Sequence, residues 1–301
     1  MTIQQIKFST NLNRVVLIGA GGFIGKMLLQ KLKSLGFTTL ALTSSQVDLT
    51  DESAETKLVA LLQPSDSVVM LAAITPDKGR DIAALIRNLK MMKSVHGAVE
   101  RTDCSHFIYF SSDAVYGLSD SHVSEATPAS PRDLYGAAHH TREIMALSLA
   151  SIPVLVLRPT IVYGFDDTHA SYGPNRFRRT AETDSKITLF GNGEETRDHV
   201  YVDDVVDLTI RCLIEGSVGI FNIATGASST FRQVAEIVAK QFDKSVEIIS
   251  TNRVNPITHR HYDITNLIKL FPDFCFTKLE QGLKRVHKEL IDKRNQFGKK
   301  N

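Results

Sequence analysis

The run Arg14-Val15-Val16-Leu17-Ile18-Gly19-Ala20-Gly21-Gly22-Phe23-Ile24-Gly25 decides how the amino-terminal half folds. An apolar, β-branched run ends in glycines spaced G-x-x-G-x-x-G, and an amphipathic stretch from Lys26 to Leu35 follows, closed by Gly36. That order predicts strand, tight turn, helix. Glycine lets the backbone turn sharply and approach a ligand with no Cβ in the way. The helix behind the turn offers unpaired N–H groups and a partial positive charge, which suits a pyrophosphate. A glycine pattern alone is a weak signal. Set between a strand and a helix near the chain start, it predicts a dinucleotide site with Gly19, Gly22, Phe23, Ile24 and Gly25 as contacts.

Working outward, short apolar runs at Val15–Ile18, Thr38–Thr43, Ser67–Ala73, Phe107–Ser111 and Val154–Arg158 read as strands buried on both faces. Helical patterns at Lys26–Leu35, Asp51–Leu62, Asp81–Val99 and Leu134–Leu149 lie between them. Alternation of this kind predicts an α/β fold with a doubly wound parallel sheet, a Rossmann domain over residues 1–165. Residues 200–225 are expected to contribute to it. After Arg158 the texture changes, and Pro159–Phe190 reads as loop-rich. Helices are expected at Val202–Ile214, Phe231–Phe242 and Leu279–Asp292, with strands near Ile220–Ile223 and Val246–Ile249. Residues 166–301 are therefore expected to form mainly a smaller α/β substrate lobe, ending in a frayed basic tail at Gln296–Asn301.

A chain of 301 residues can bury a large core, and its 43% hydrophobic and 23% charged content is ordinary for a globular protein. The net charge of +2 gives no reason to invoke nucleic acid or an anionic membrane as partner. Three scattered cysteines, Cys104, Cys212 and Cys275, form no metal-type pair, and no metal site is expected among the histidines. The stretch Met1–Asn13 lacks the apolar core of a signal peptide, and no apolar run reaches membrane-spanning length. A cytoplasmic location is the expectation.

The chemistry centres on Phe110-Ser111-Ser112-Asp113-Ala114-Val115-Tyr116-Gly117, which leaves an expected strand at its carboxyl end. Tyr135 then opens the next helix. A hydroxyl at a strand end and a tyrosine on the following helix can converge on a substrate carbinol, the tyrosine as acid or base and the serine holding the oxygen. At the end of the second strand stand Thr43-Ser44-Ser45, where an acidic residue would read the adenosine ribose and select NAD. No carboxylate repels a 2′-phosphate there and no arginine embraces one. NAD or NADP is the expected cofactor, leaning weakly to NADP.

These stretches together resemble the extended branch of the short-chain dehydrogenase/reductase superfamily, the nucleotide-sugar epimerases, dehydratases and reductases. The resemblance spans the glycine loop, Asp48-Leu49 as adenine contacts, Leu71-Ala72-Ala73 under the cofactor and Asn88 on the following helix. It continues through Ser112, Tyr135 and Leu157-Arg158-Pro159-Thr160-Ile161-Val162-Tyr163-Gly164, with Pro159 another cofactor contact. Arg197-Asp198-His199-Val200-Tyr201-Val202-Asp203-Asp204 is similar to the family's R-D-F-x-Y-V-D-D, whose arginine contacts the substrate diphosphate. The resemblance implies NAD(P)-dependent chemistry on a nucleotide sugar, with Arg197 and Asn175 as further substrate contacts. It also implies a homodimer formed through the Tyr135 helix and its neighbour. Arginines 176, 178 and 179 would add a basic rim.

Three departures stand out. The lysine of the family's Y-x-x-x-K is His139, the Asp-Glu pair of the 4,6-dehydratases is Asp113-Ala114, and the asparagine before x-Y-G is Ile161. Residues four apart share a helix face, so Tyr135 and His139 are neighbours. The resemblance implies that the missing lysine would donate to the nicotinamide ribose and, as a fixed cation, lower the tyrosine pKa. A histidine can give the hydrogen bond, yet it is mostly neutral at pH 7. Two readings remain open: a working, retuned enzyme with Ser112, Tyr135, His139 and auxiliary Asp113 as catalytic residues, or a catalytically weak dinucleotide-binding protein. His139 is expected at a helix position open to the cleft.

Overall fold

A computed structural model describes residues 4–5, 12–118, 120–167 and 172–298. Along the chain run β1 (Gln4–Gln5), β2 (Arg14–Ile18), α1 (Phe23–Ser34), β3 (Thr39–Leu42), α2 (Ala54–Leu61), β4 (Asp66–Met70), α3 (Ile82–Thr102) and β5 (His106–Phe110). A 3-10 turn at Asp113–Val115 precedes β6 (His122–Val123), α4 (Leu134–Leu147) and β7 (Val154–Pro159). Next come β8 (Ile161–Tyr163), α5 (Pro174–Asp184), β9 (Lys186–Phe190), β10 (Thr196–Tyr201), α6 (Val202–Glu215) and β11 (Ser217–Ile223). The chain closes with β12 (Ser228–Thr230), α7 (Phe231–Ala239), β13 (Glu247–Thr251), β14 (His261–Tyr262), α8 (Thr265–Leu270) and α9 (Leu279–Gly298). No helix among the described residues is long and apolar enough to cross a membrane.

Two compact units divide the chain. The first comprises Met1–Gly117, Ser124–Pro159 and Val205–Ile223; the second comprises Leu118–Val123, Thr160–Asp204 and Ala224–Asn301. In the first, one sheet runs β1-β11-β7-β5-β4-β2-β3, parallel throughout except for the β1–β11 edge pair. The order grows away from β2 in both directions, the doubly wound arrangement. Val16, Val68, Phe107 and Val156 on its central strands are fully buried, because helices cover both faces and leave no side for polar alternation. Register is pinned where Arg14 donates twice to the buried Asp66 carboxylate, at 2.7 Å each, across β2 and β4.

β4 ends at Met70, earlier than the expected Ala73, because the N–H groups of Leu71 and Ala72 both turn onto the Ile18 carbonyl. That bend brings Ala72 against the glycine loop.

In the second unit, a three-stranded sheet runs β12-β10-β8, and β13-β9 and β14-β6 form two-stranded sheets. The segment expected to be loop-rich contains β8, α5 and β9. Helix α5 escapes a periodicity reading because its buried stripe is Pro174, Phe177, Arg178 and Ala181, in which Phe177 is the one large apolar side chain. At Phe190-Gly191-Asn192-Gly193 the chain turns with positive φ at both glycines. It closes no hairpin: β9 pairs in parallel with β13, while β10 pairs with β8 and β12. Helix α9 continues past the expected Asp292 to Gly298, and residues 299–301 of the expected basic tail lie outside the described residues.

Candidate functional site

The turn between β2 and α1 is built by contacts only glycine permits. Gly19 has φ +94°, and a Cβ there would lie 2.7 Å from the Ala72 nitrogen; at Gly25 it would lie 2.4 Å from the Gly19 carbonyl oxygen. Gly22 caps α1 without a side-chain hydrogen bond, and no acidic residue occupies the first turn. The exposed glycines 21 and 22 and an uncapped helix amino terminus fit a pyrophosphate, so these residues suit a dinucleotide. Phe23 is buried and Ile24 half-buried beside them.

Around this turn, Thr43 lies beside Gly21, whose Cβ would meet the Thr43 methyl at 3.4 Å. The Thr43 hydroxyl bonds Ser45 at 2.8 Å, and Ser44 and Ser45 are exposed. Asp48 is exposed and accepts from Thr50 N at 2.9 Å and its hydroxyl at 2.7 Å, which holds its carboxyl below the usual range. Leu49 is buried in the hydrophobic core.

Asn88, buried on α3, spends its amide within the protein. Its Oδ1 accepts from Ile74 N at 3.0 Å and from Arg142 at 3.1 Å, while its Nδ2 faces the Ile74 and Ala84 carbonyls at 3.2 Å each. It thereby shapes the 72–74 bend rather than leaving donors open.

Tyr135 comes near Ser112 because α4 packs close to the turn after β5. Asp133 caps α4 by accepting from Gly136 N at 2.8 Å. Ser112 in turn caps the 3-10 turn, its hydroxyl accepting from Ala114 N at 3.2 Å and lying 3.5 Å from the Asp113 carboxylate. Burial pushes the Tyr135 phenol up to about 12, while the nearby Ser112 hydroxyl and the charge of Arg142 pull it back and Asp113 opposes them.

His139 is not open to the cleft, contrary to expectation: it is 3% exposed. Its Nδ1 shares a 2.7 Å hydrogen bond with the Tyr109 hydroxyl, its ring stands edge-on to Tyr135 at 4.6 Å, and its buried Nε2 has no partner. Burial first, and the Arg142 charge second, drive it down to about 3, so it is neutral. His140, half-buried, lies 3.6 Å from the Glu143 carboxylate.

A buried polar network beside this site goes unseen in the sequence. Arg158 grips Glu143 with two hydrogen bonds of 2.8 and 2.6 Å and donates to the Tyr116 hydroxyl at 2.9 Å. Ser111 donates to the same carboxylate at 2.5 Å, and Tyr116 donates to Asn222 at 2.7 Å. The network ties α4 to β5, β7 and β11. Pro159, at the end of β7, lies opposite Ile223 of β11.

The remaining candidates belong to the second unit. The Arg197 guanidinium donates to the Thr196 and Thr258 carbonyls at 2.8 Å each and to the Thr258 hydroxyl at 2.7 Å. Its neighbour Asp198 is buried and satisfied by Thr225 and Thr160. Asn175 bonds Asp167 and, at 3.4 Å, receives Gly164 N. Of the expected basic rim Arg176 is exposed and Arg179 half-buried, while Arg178 is buried in a 2.9 Å ion pair with Glu182.

A glycine turn leading from a parallel strand into a helix, with a serine after β5 and a tyrosine on α4, defines a nucleotide-binding α/β fold. The model of the NAD dependent epimerase/dehydratase family matches residues 15–224, and the chain belongs to that family. A dTDP-4-dehydrorhamnose reductase of Mycolicibacterium smegmatis is 31% identical over 230 residues, covering 73% of this chain and 67% of its own length. The UDP-glucose 4-epimerase of Thermotoga maritima, solved with UDP-glucose, matches with a TM-score of 0.81 at 24% identity, covering 93% of this chain and 99% of that one. RMD from Pseudomonas aeruginosa, solved with NADPH, matches with a TM-score of 0.79 at 22% identity and the same coverage.

Proposed function

We propose that the chain is an NAD(P)-dependent epimerase or reductase acting on a nucleotide-activated sugar. The observation that carries this reading is the approach of the Tyr135 helix to the Ser112 turn, in the same unit as the glycine turn. A bound nicotinamide supplies the hydride acceptor or donor. Tyr135 takes the proton of the sugar hydroxyl as the carbon gives up its hydride, and returns it in the reverse direction. Ser112 holds the substrate oxygen, and Asp113 is an auxiliary acid. In the tautomer whose Nδ1 accepts from Tyr109, the His139 ring proton lies on Nε2, a buried donor beside Tyr135 rather than one open to the cleft. Arg197 and Asn175 take the substrate phosphates.

The neutral His139 favours a second reading, a catalytically weak dinucleotide-binding protein of the same fold. Turnover against a panel of sugar nucleotides separates the two. The first reading expects measurable turnover that Tyr135→Phe reduces by about a hundredfold or more; no turnover, or turnover that survives Tyr135→Phe, overturns it. Mass spectrometry of nucleotides that co-purify narrows the base and sugar. The isoleucines Ile82, Ile86 and Ile144, exposed on α3 and α4, support a homodimer through those helices, which sedimentation tests. Free thiols at Cys104, Cys212 and Cys275 support a cytoplasmic location.

A further inference from the structure

Arg142 follows His139 by one helical turn, so Tyr135, His139 and Arg142 line one face of α4. Its side chain is 0% exposed. The guanidinium donates to the Ala72 carbonyl at 2.6 Å and to Asn88 Oδ1 at 3.1 Å, and lies 4.9 Å over the Tyr109 ring. These partners are neutral, and among the described residues no carboxylate pairs with it. Glu143, the next residue, is taken by Arg158. A buried charge without a counter-ion is strongly unfavourable, and here only neutral hydrogen-bond acceptors and an aromatic ring offset its cost.

The groups placed to use it form a chain of rings. Tyr109 lies beneath the guanidinium, its hydroxyl bonds His139, and His139 stands against Tyr135. The charged and titratable groups that face Tyr135 are Asp133, His139 and Arg142 on its own helix, Asp113 on the turn after β5, and Tyr109 on β5. Of these only Arg142 carries a fixed positive charge.

We propose that Arg142 is a positioning residue that supplies the positive charge needed by the Tyr135 phenolate, while His139 keeps only the hydrogen-bonding task. The work one cation at position 139 would do is thus divided between two side chains one turn apart. The use of Tyr135 as proton carrier rests on the proposed function. The charge relation does not, and it is measured without substrate or cofactor.

The test places a fluorinated tyrosine, whose lower intrinsic pKa brings its ionisation into the range where the protein is folded, at position 135. Its absorbance is titrated in the full chain and in three variants. Arg142→Gln is expected to raise the midpoint by about one unit or more, whereas Arg142→Lys stays within a few tenths of the parent. Asn88→Asp sets a carboxylate against the guanidinium without removing it and is expected to move the midpoint in the same direction. It carries the test if Arg142→Gln does not fold. An unchanged midpoint in folded Arg142→Gln or Asn88→Asp overturns the proposal and leaves Arg142 as a brace for the 72–74 bend. A shifted midpoint in a protein that turns over no sugar nucleotide sustains the charge relation and sinks the proposed function alone.

Discussion

Gly136 and Ala114 touch backbone to backbone: a Cβ on Gly136 would lie 2.3 Å from the Ala114 carbonyl oxygen. This contact lets the Ser112 turn close onto the helix that carries Tyr135. Gly136→Ala therefore has to push the two apart. The expected result is a loss of about 1–3 kcal/mol in stability by denaturant unfolding, with turnover falling further than stability because Ser112 and Tyr135 separate. Full turnover in a folded Gly136→Ala protein would show that the close approach is not needed.

Cofactor choice is expected to respond to position 44. Ser44 is exposed just past β3, between Thr43 and Ser45 in sequence. Both cofactors should bind, NADP slightly better, and Ser44→Asp should weaken NADPH by tenfold or more while sparing NADH. Fluorescence titration of the two reduced cofactors reads the ratio. A hundredfold NAD preference in the parent protein would mean that other atoms read the ribose.

Arg197→Ala should weaken sugar-nucleotide binding by several-fold to a hundredfold and leave dinucleotide binding nearly unchanged. Calorimetric titration with each ligand decides this. Because Arg197 also tethers Thr258, Arg197→Lys serves as companion: it keeps the charge and loses the three-oxygen fork. Equal loss of both ligands would point to damage of the unit instead.

Acid should destabilise the protein through its buried histidines. Burial holds His106 and His199 down to about 4, and His139 lower still. Unfolding frees each to bind a proton at its ordinary pKa near 6.5, so the unfolded state takes up more protons between that value and about 4. Stability is thus full above pH 6.5 and declines as pH falls through that window, by about 3 kcal/mol for His106 alone. Thermal melts from pH 7 to 4 should show the decline, and His106→Asn should flatten it. A melting temperature independent of pH over this range would contradict the burial.

His139→Lys should lower the melting temperature by several degrees, because a second cation would then be buried beside Arg142. An open cleft position would have tolerated the change. Under the proposed function the sugar oxidation rate should keep rising through pH 8 to 9, since burial raises the Tyr135 phenol to about 12 and no titration of His139 intervenes near neutrality.

The parallel sheet was legible because its strands are buried on both faces and so spell uninterrupted apolar runs, as Val15-Val16-Leu17-Ile18 does. The glycine turn was legible because Gly19 and Gly25 leave room for nothing else. Helix α5 was not, since its buried positions include an ion-paired arginine, Arg178. The burial of His139 was missed for a similar reason. Its spacing from Tyr135 gives the shared face, while the depth of that face depends on Tyr109 and Arg142, distant along the chain or unremarkable in composition. Glu143 and Arg158 each look like surface charges until the fold joins them.

The orphan charge at Arg142 also constrains what can stand at position 139. A lysine there buries two cations on one face of α4, whereas neutral residues at both positions leave Tyr135 without one. Positions 139 and 142 are therefore expected to tolerate exchange as a pair better than singly. Graft experiments that exchange one of them alone are therefore expected to read as loss of function in either direction.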